Sequence, residues 1–427
     1  MKTVAFRSPL VLLMSGLLAA CGQQPSVPAA AHYAQVLTLH LTGGETVEGL
    51  QRKYGGDVLA FKPAAHLAIV ATANAPRAGL GALSLNGIAE PNEGRVQSAA
   101  GAVLWTKAGA VLWTKAGAVL WTKAGAVLWT KAGAVLWTKG AYEPVAENTT
   151  NWTSIHLEAA QARLNRLGTG VKVAVIDTGV DLNLSVFQGS LAPSSEWRDY
   201  VDGDRLPNEE GSPEDHGFGH GTGIAGTILQ ISPGVTLLPM RVLGQDGSGD
   251  VSSAAQAIID AADAGSNIIN LSVGMPEHSA AIEAAIGYAE GLGALVVTSS
   301  GNDGAGSLDF PARGAVLDPV RLAVGSVDTA GQVSAFSNVG PGLSLFAPGE
   351  LIYGPAPQER EAAWSGTSQS AAVASGALAL GLAEGASPSA VRAALQNTAS
   401  PVQTADAQPL PGTGQLDLEA FARVILP

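Results

Sequence analysis

Cysteine is almost absent. The 427 residues hold a single one, Cys21, which excludes a disulfide framework within the chain and leaves stability to a packed core. Charge is also scarce, 14% against 46% hydrophobic residues, a balance of globular rather than disordered chains. Basic residues are the scarcer sign, 23 Lys+Arg against 36 Asp+Glu, for a net charge of −13. The deficit is uneven. Residues 151–427 hold 29 acidic and 11 basic residues, whereas residues 1–150 hold 7 and 12. The acidic larger part lacks the basic footprint of a nucleic-acid binder, so no nucleic-acid partner is expected. It would also attract a basic N-terminal segment. Beyond the first 21 residues, no apolar run is long enough for a transmembrane helix.

What is present begins with an export signal. Lys2 and Arg7 precede the apolar run from Leu10 to Ala20, which is too short to span a bilayer. The run ends Leu18-Ala19-Ala20-Cys21-Gly22 and resembles the lipobox of bacterial lipoproteins, in which the cysteine becomes the lipidated N-terminus. The resemblance implies a signal peptide over 1–21, lipidation at Cys21 and attachment to a bacterial membrane through lipid only. Cleavage near Ala29-Ala30-Ala31, with loss of Cys21 and free secretion, is the alternative. Stable anchoring takes more than one acyl chain.

Residues 22–32 are a Pro/Ala-rich tether. Strand-like Val36–Leu41, a helical stretch from Thr46 to Tyr54 and strand-like His66–Val70 then suggest a small α+β domain. It closes near Gly87-Ile88-Ala89-Glu90-Pro91. Residues 101–139 repeat Gly-Ala-Val-Leu-Trp-Thr-Lys five times, joined by Ala, with a period of eight. Eight is not a helical period, and each Val-Leu-Trp-Thr is strand-forming between Ala-Gly turn signals. A small meander or solenoid is one reading; a tandem duplication in a tolerant linker is the simpler one.

From residue 150 onward the pattern is that of an α/β enzyme. Apolar strands at 171–176, 236–240, 267–271 and 294–298 alternate with helices at 253–264 and 279–291, which implies a parallel sheet with helices on both faces. Three motifs carry candidate chemistry. Val175-Ile176-Asp177-Thr178-Gly179 places an acid at the carboxyl end of a strand, where open α/β sheets build their sites. Gly219-His220-Gly221-Thr222-Gly223 sets a histidine between glycines at a helix opening. Ser365-Gly366-Thr367-Ser368 leads into an Ala/Leu-rich helix reaching Ala383.

Singly these are a turn residue, a core histidine and a helix cap. In the order Asp, His, Ser they resemble the subtilase family over roughly residues 150–425. The resemblance implies a subtilisin-like fold, a small α+β propeptide domain at 33–100 and a serine endopeptidase made as a self-processing zymogen. It implies Ser368 as nucleophile, His220 as general base and acid, and Asp177 as the residue that orients the imidazole. Thr298-Ser299-Ser300-Gly301-Asn302 matches the segment whose Asn, here Asn302, donates to the oxyanion. Ser272, Val273 and Gly274 match one peptide-binding strand, and Gly247, Ser248 and Gly249 the neighbouring one. The expected partners are protein or peptide substrates and the chain's own propeptide. No cofactor is expected for catalysis.

The sequence also departs from that pattern. Gly223 stands where the family usually has a second histidine, Gln369 where it has Met, and Ala372 where it has Pro. Residues 180–186 lack the His-Pro and the later acid that serves a calcium site in relatives. No calcium site is therefore expected there, although the many carboxylates leave one elsewhere possible.

Asp309, before Phe310-Pro311, aligns with the floor of the primary specificity pocket, and Asp303 with its rim. A carboxylate on the floor would select Lys or Arg and make each repeat Lys a processing site; the alternative is an Asp309 that faces solvent. Two other roles fit the same residues: a catalytically silent binding protein, or a tryptophan-rich adhesion array carried on a protease fold.

Overall fold

The computed structural model describes residues 33–73, 87–92, 96–98, 102–105, 112–114, 118–120, 145–318, 320–403 and 409–427. The export signal, Cys21, the tether and the repeat lysines lie outside them. Among the described residues no helix is long and apolar enough to cross a membrane.

The chain opens with β1 (Gln35–His40), α1 (Val47–Tyr54), β2 (Asp57–Lys62), β3 (Leu67–Thr72) and β4 (Gly87–Pro91). These strands form one antiparallel sheet in the order β2-β3-β1-β4. Thr46 starts α1 by accepting a hydrogen bond from Gly49 N at 3.1 Å, and Gly55 ends it in the left-handed conformation at φ 71°. The two-residue period of β1 explains its packing. Leu37 and Leu39 face α1 and pack with Leu50, whereas Val36 turns the other way into the core of the larger domain. β3 is buried at every residue because both of its faces are covered. β2, absent from the sequence expectations, completes this sheet.

Four short strands follow: β5 (Val96–Ser98), β6 (Ala102–Trp105), β7 (Leu112–Thr114) and β8 (Ala118–Leu120). The larger domain begins with α2 (Thr149–Ser154), α3 (Leu157–Arg163), β9 (Lys172–Asp177) and β10 (Arg198–Asp199). It continues through α4 (His220–Ile231), β11 (Thr236–Arg241), β12 (Ser248–Gly249), α5 (Val251–Asp263), β13 (Ile268–Leu271), β14 (Val273–Gly274) and α6 (Ala280–Gly291). Then come β15 (Leu295–Ser299), β16 (Leu322–Val327), β17 (Leu345–Pro348) and the hairpin β18 (Ile352–Ala356) and β19 (Arg360–Ser365). Last are α7 (Thr367–Ala383), α8 (Pro388–Asn397), β20 (Ser400–Gln403), β21 (Pro409–Gln415) and α9 (Leu418–Ile425).

Among the described residues the main sheet has the order β10-β11-β9-β13-β15-β16-β17-β21-β20. It is parallel except for the β20–β21 pair. Its strands are apolar on both sides because both faces are covered. Val173 and Val175 point toward α4, α7 and α9, and Ala174 and Ile176 toward α5 and α6. α7 is apolar all round and accordingly buried along nearly its whole length. The parallel α/β sheet expected from the sequence is therefore the observed one. β9 sits between β11 and β13, so the chain order reverses beside it and opens a crevice at its carboxyl end.

Candidate active site

Asp177 is the last residue of β9 and lies in that crevice, with no exposed surface. Its Oδ1 accepts from Thr178 N at 2.7 Å and faces His220 Nδ1 at 2.6 Å. The glycines around His220 make this approach possible. Gly219 caps α4 at φ 81°, and a β-carbon on Gly221 would stand 2.1 Å from Gly179 O. With no side chain there, the first turn of α4 closes onto the loop after β9, tied by Gly221 N donating to Thr178 Oγ1 at 2.9 Å. His220 Nε2 points away from Asp177, is buried, and makes no hydrogen bond among the described residues. An imidazole fixed at Nδ1 and open at Nε2 is arranged as a base.

Ser368 is the second residue of α7 and is fully buried. Its Oγ lies 3.4 Å from Ser272 O, and its carbonyl accepts from Ser272 Oγ at 3.2 Å. Asn302 follows β15. Its Oδ1 accepts from Thr367 N at 2.9 Å and from Thr367 Oγ1 at 3.0 Å. That pair of bonds fixes the amide and makes Nδ2 its donor end. The first-turn amides of α7, which have no intrahelical acceptor, lie beside it. A serine, a base held by an acid, and preorganised N–H donors are what nucleophilic acyl transfer needs. The structure brings Asp177 and His220 into direct contact, and among the described residues no hydrogen bond reaches His220 Nε2.

Two residues around the histidine were not anticipated from the sequence. Trp364 meets the His220 ring edge-on at 6.4 Å between centroids. Glu209 is buried behind α4, where its Oε2 accepts from Thr222 Oγ1 at 3.0 Å and Thr222 N at 3.3 Å. Burial pushes the Glu209 carboxyl up to about 8, reinforced by the nearby Asp177 and opposed by hydrogen bonds from Gly219, Thr178 and Thr222. Neither carries a sequence signal, because both act through packing between distant segments.

The two segments expected to bind peptide flank a strand of the same chain. β5 runs antiparallel between β12 and β14, with Gln97 opposite Ser248 and Gly274, Val96 opposite Gly249, and Ser98 opposite Val273. Ser98 N donates to Gly247 O at 2.7 Å. Of the residues named in advance for peptide binding, Gly247, Ser248, Gly249, Val273 and Gly274 lie against β5, and Asp303 is exposed. Asp309 is half-buried beside Gly274 and Gly301: β-carbons on these glycines would lie 3.2 and 2.4 Å from its Oδ2. Its Oδ1 accepts from Asn338 Nδ2 at 3.3 Å. No cluster of metal-ligating side chains occurs among the described residues.

The N-terminal unit also docks on α5 and α6, the helices that follow β12 and β14 in the chain. Glu90 Oε1 accepts from Ser279 Oγ at 3.0 Å and Ala281 N at 2.9 Å, capping α6. Asn92 Oδ1 accepts from Ser252 N at 2.8 Å, and Asn92 O from Val251 N at 3.2 Å, capping α5. Lys62 pairs with Asp263 at the far end of α5. The sequence showed Glu90 beside Pro91 but gave no sign that its carboxylate serves another domain's helix.

Residues 168–415 match the profile described as the subtilase family. Subtilisin Savinase of Lederbergia lenta is 38% identical over 288 residues, covering 64% of this chain and 98% of that protein. Thermitase of Thermoactinomyces vulgaris is 34% identical over 256 residues, covering 58% and 87%. A crystal structure of a cold-adapted subtilisin-like serine proteinase superposes with a TM-score of 0.52 at 31% identity, over 60% of this chain and 90% of that one.

Proposed function

The chain belongs to the subtilase family and is a serine endopeptidase acting on protein substrates, and from that premise we propose that it is made as an exported precursor that cuts itself. Ser368 Oγ attacks the carbonyl carbon while His220 Nε2 takes its proton. The imidazolium that forms is held by Asp177, and the oxyanion is received by Asn302 Nδ2. The proton then passes to the leaving amine, and water, activated by the same histidine, releases the acyl-enzyme. Subtilisins require no cofactor for this chemistry, and the residues named here supply every proton transfer.

The observation that carries the self-processing reading is β5. A segment of the chain itself occupies the peptide groove in the antiparallel manner of a bound substrate. Four residues further on, Ala102 pairs with Ser365, three residues before Ser368. The bond attacked therefore lies between Ser98 and Ala102. Residues 33–98 act as the intramolecular inhibitor, docked by the Glu90 and Asn92 caps. Cleavage at so unexceptional a sequence, Ser-Ala-Ala-Gly-Ala, is driven by positioning; an intramolecular substrate has a very high effective concentration.

Expression of the full chain tests this reading. The parent is expected to separate into two fragments, and Ser368→Ala to remain a single precursor. An S368A chain that is still cut, with no other protease present, defeats it. Export and lipidation at Cys21 complete the reading. Metabolic labelling with a radioactive fatty acid should mark the parent and not Cys21→Ala; an unlabelled parent favours ordinary signal cleavage and secretion.

A further inference from the structure

Glu209 stands behind the catalytic groups and is joined to them through their neighbours. Its loop precedes α4 and runs against the loop after β9, with Val180 N donating to Pro207 O at 2.9 Å and Glu209 N to Val180 O at 3.3 Å. The residue is only 6% exposed. Oε2 accepts from Thr222 Oγ1 at 3.0 Å and Thr222 N at 3.3 Å, and Thr222 lies two residues after His220 in the first turn of α4. Thr178, the neighbour of Asp177, and Gly219, the neighbour of His220, also hydrogen-bond this carboxyl. The same threonines tie the two segments to each other. Thr178 Oγ1 accepts from Gly221 N at 2.9 Å, and Thr222 Oγ1 from Asp181 N at 3.0 Å. An acid is an unfavourable residue to bury for packing alone, since its charged form loses far more on leaving water than an amide or hydroxyl does. The other charged groups nearby are engaged elsewhere. Asp177 holds His220, and Asp181 accepts from Asn183 N and Gln358 N. Glu210, Asp199 and Asp202 pair with Arg241 at the end of β11.

We propose that Glu209 is a positioning residue for the catalytic pair: it locks the first turn of α4 to the end of β9 and governs the charge that stands behind Asp177. This rests on the roles given above to Asp177, His220 and Ser368. The locking follows from the contacts. Thr178 is one residue from Asp177 and Thr222 two from His220, so a carboxyl bonded to both threonines keeps His220 Nδ1 at Asp177 Oδ1. The charge follows from the burial. Burial keeps the Glu209 proton in place up to about pH 8, so at neutral pH this residue adds no charge to that of Asp177. Above that pH it is ionised and puts a second negative charge near the pair. That charge favours the imidazolium formed when Ser368 gives up its proton. Activity on the alkaline side therefore carries a step that belongs to Glu209 rather than to His220.

The test uses the processed enzyme and a chromogenic peptide, with active sites counted by an irreversible serine-directed inhibitor. In the parent, kcat/KM is expected to rise by at least about twofold between about pH 7 and pH 9, in a step centred near 8. Glu209→Gln keeps the shape and should lack this step, with KM unchanged. Glu209→Leu loses the contacts to both threonines and should lower kcat by about tenfold or more, with KM within about twofold of the parent. A second readout needs neither processing nor activity. In the Ser368→Ala chain carrying carbon-13 histidine, the His220 ring signal should show an inflection near pH 8. Ser368→Ala combined with Glu209→Gln should lack it. The same pH profile in the parent and E209Q overturns the inference and leaves the triad intact. So does a Glu209→Leu defect confined to KM, or a His220 signal that E209Q does not alter. Undiminished peptide hydrolysis by Ser368→Ala overturns both.

Discussion

Trp364 fills the space that a side chain on Gly223 would occupy. A β-carbon at Gly223 would stand 2.6 Å from the Trp364 ring, the same ring that meets His220 edge-on. A histidine, which the family resemblance implies at this position, has no room beside Trp364 here. The contact matters because α4 carries His220 at its first turn and β19 leads to Ser368. Gly223→Ala is expected to destabilise the enzyme by about 1–3 kcal/mol through overpacking. Pairing it with Trp364→Leu should return part of that loss. Thermal unfolding of the two single variants and the double variant measures the coupling; strictly additive effects would show that the two positions are independent.

Asn302 is held by Thr367 through its carbonyl oxygen, which leaves its role to the amide nitrogen. Asn302→Leu should lower kcat by about 10²–10³ with little change in KM, the signature of an interaction made in the transition state. Thr367→Val, which removes one of the two bonds orienting that amide, should give a smaller fall in kcat in the same direction. A loss confined to KM in either variant would place Asn302 in ground-state binding instead.

The triad motifs, the parallel sheet and the groove segments were legible in the sequence because each is local: a strand ending in an acid, a histidine between glycines, a serine opening a helix. What was not legible depends on contacts between distant segments. Glu90 caps a helix through a bond between its Oε1 and Ala281 N, 191 residues further on. Trp364 opposes Gly223, and β6 finds β19 across more than 250 residues of chain. No composition or periodicity records such pairings. Asp177 is the intermediate case: its place at a strand end was readable, but its 2.6 Å contact with His220 required the approach of α4 that Gly221 permits.

Glu209 makes stability depend on pH in a specific direction. Its carboxyl titrates near 8 in the folded chain and near the ordinary glutamate value when unfolded. Between those values the unfolded chain has released this proton and the folded one has kept it, so stability falls as pH rises from about 4.5 to 8 and then levels. The contribution is on the order of a few kcal/mol at most, given the burial of the group. Glu209→Gln, which keeps the shape and removes the titration, should flatten this part of the profile. Chemical denaturation of S368A and of S368A with E209Q, at intervals from pH 5 to pH 9, avoids autolysis and isolates the effect. Parallel profiles would show that Glu209 does not titrate in this window.

Asp309 carries the last expectation, which concerns the substrate. The two glycines nearest its carboxylate, Gly274 and Gly301, contribute no side chains, and the carboxylate itself takes the space that a β-carbon on Gly301 would need. Asn338 holds one carboxylate oxygen and so fixes the orientation of the other. A lysine or arginine of the substrate that reached this carboxylate would form a charge-assisted hydrogen bond in a half-buried setting, which is worth about 1.5–3 kcal/mol. That converts to a preference of about ten- to 150-fold over a neutral residue of similar length. Asp309→Asn should remove the preference while preserving the hydrogen-bond shape, reducing kcat/KM on Lys-P1 peptides and leaving Leu-P1 peptides nearly unchanged. Equal effects on both peptides would mean that Asp309 supports the pocket without reading its occupant. The self-cut between Ser98 and Ala102 offers no basic residue, so the same substitution should leave processing of the precursor at its normal rate. Selectivity in trans and cleavage in cis are thereby separable: one depends on the pocket floor, the other on the strand pairing that delivers the chain to Ser368.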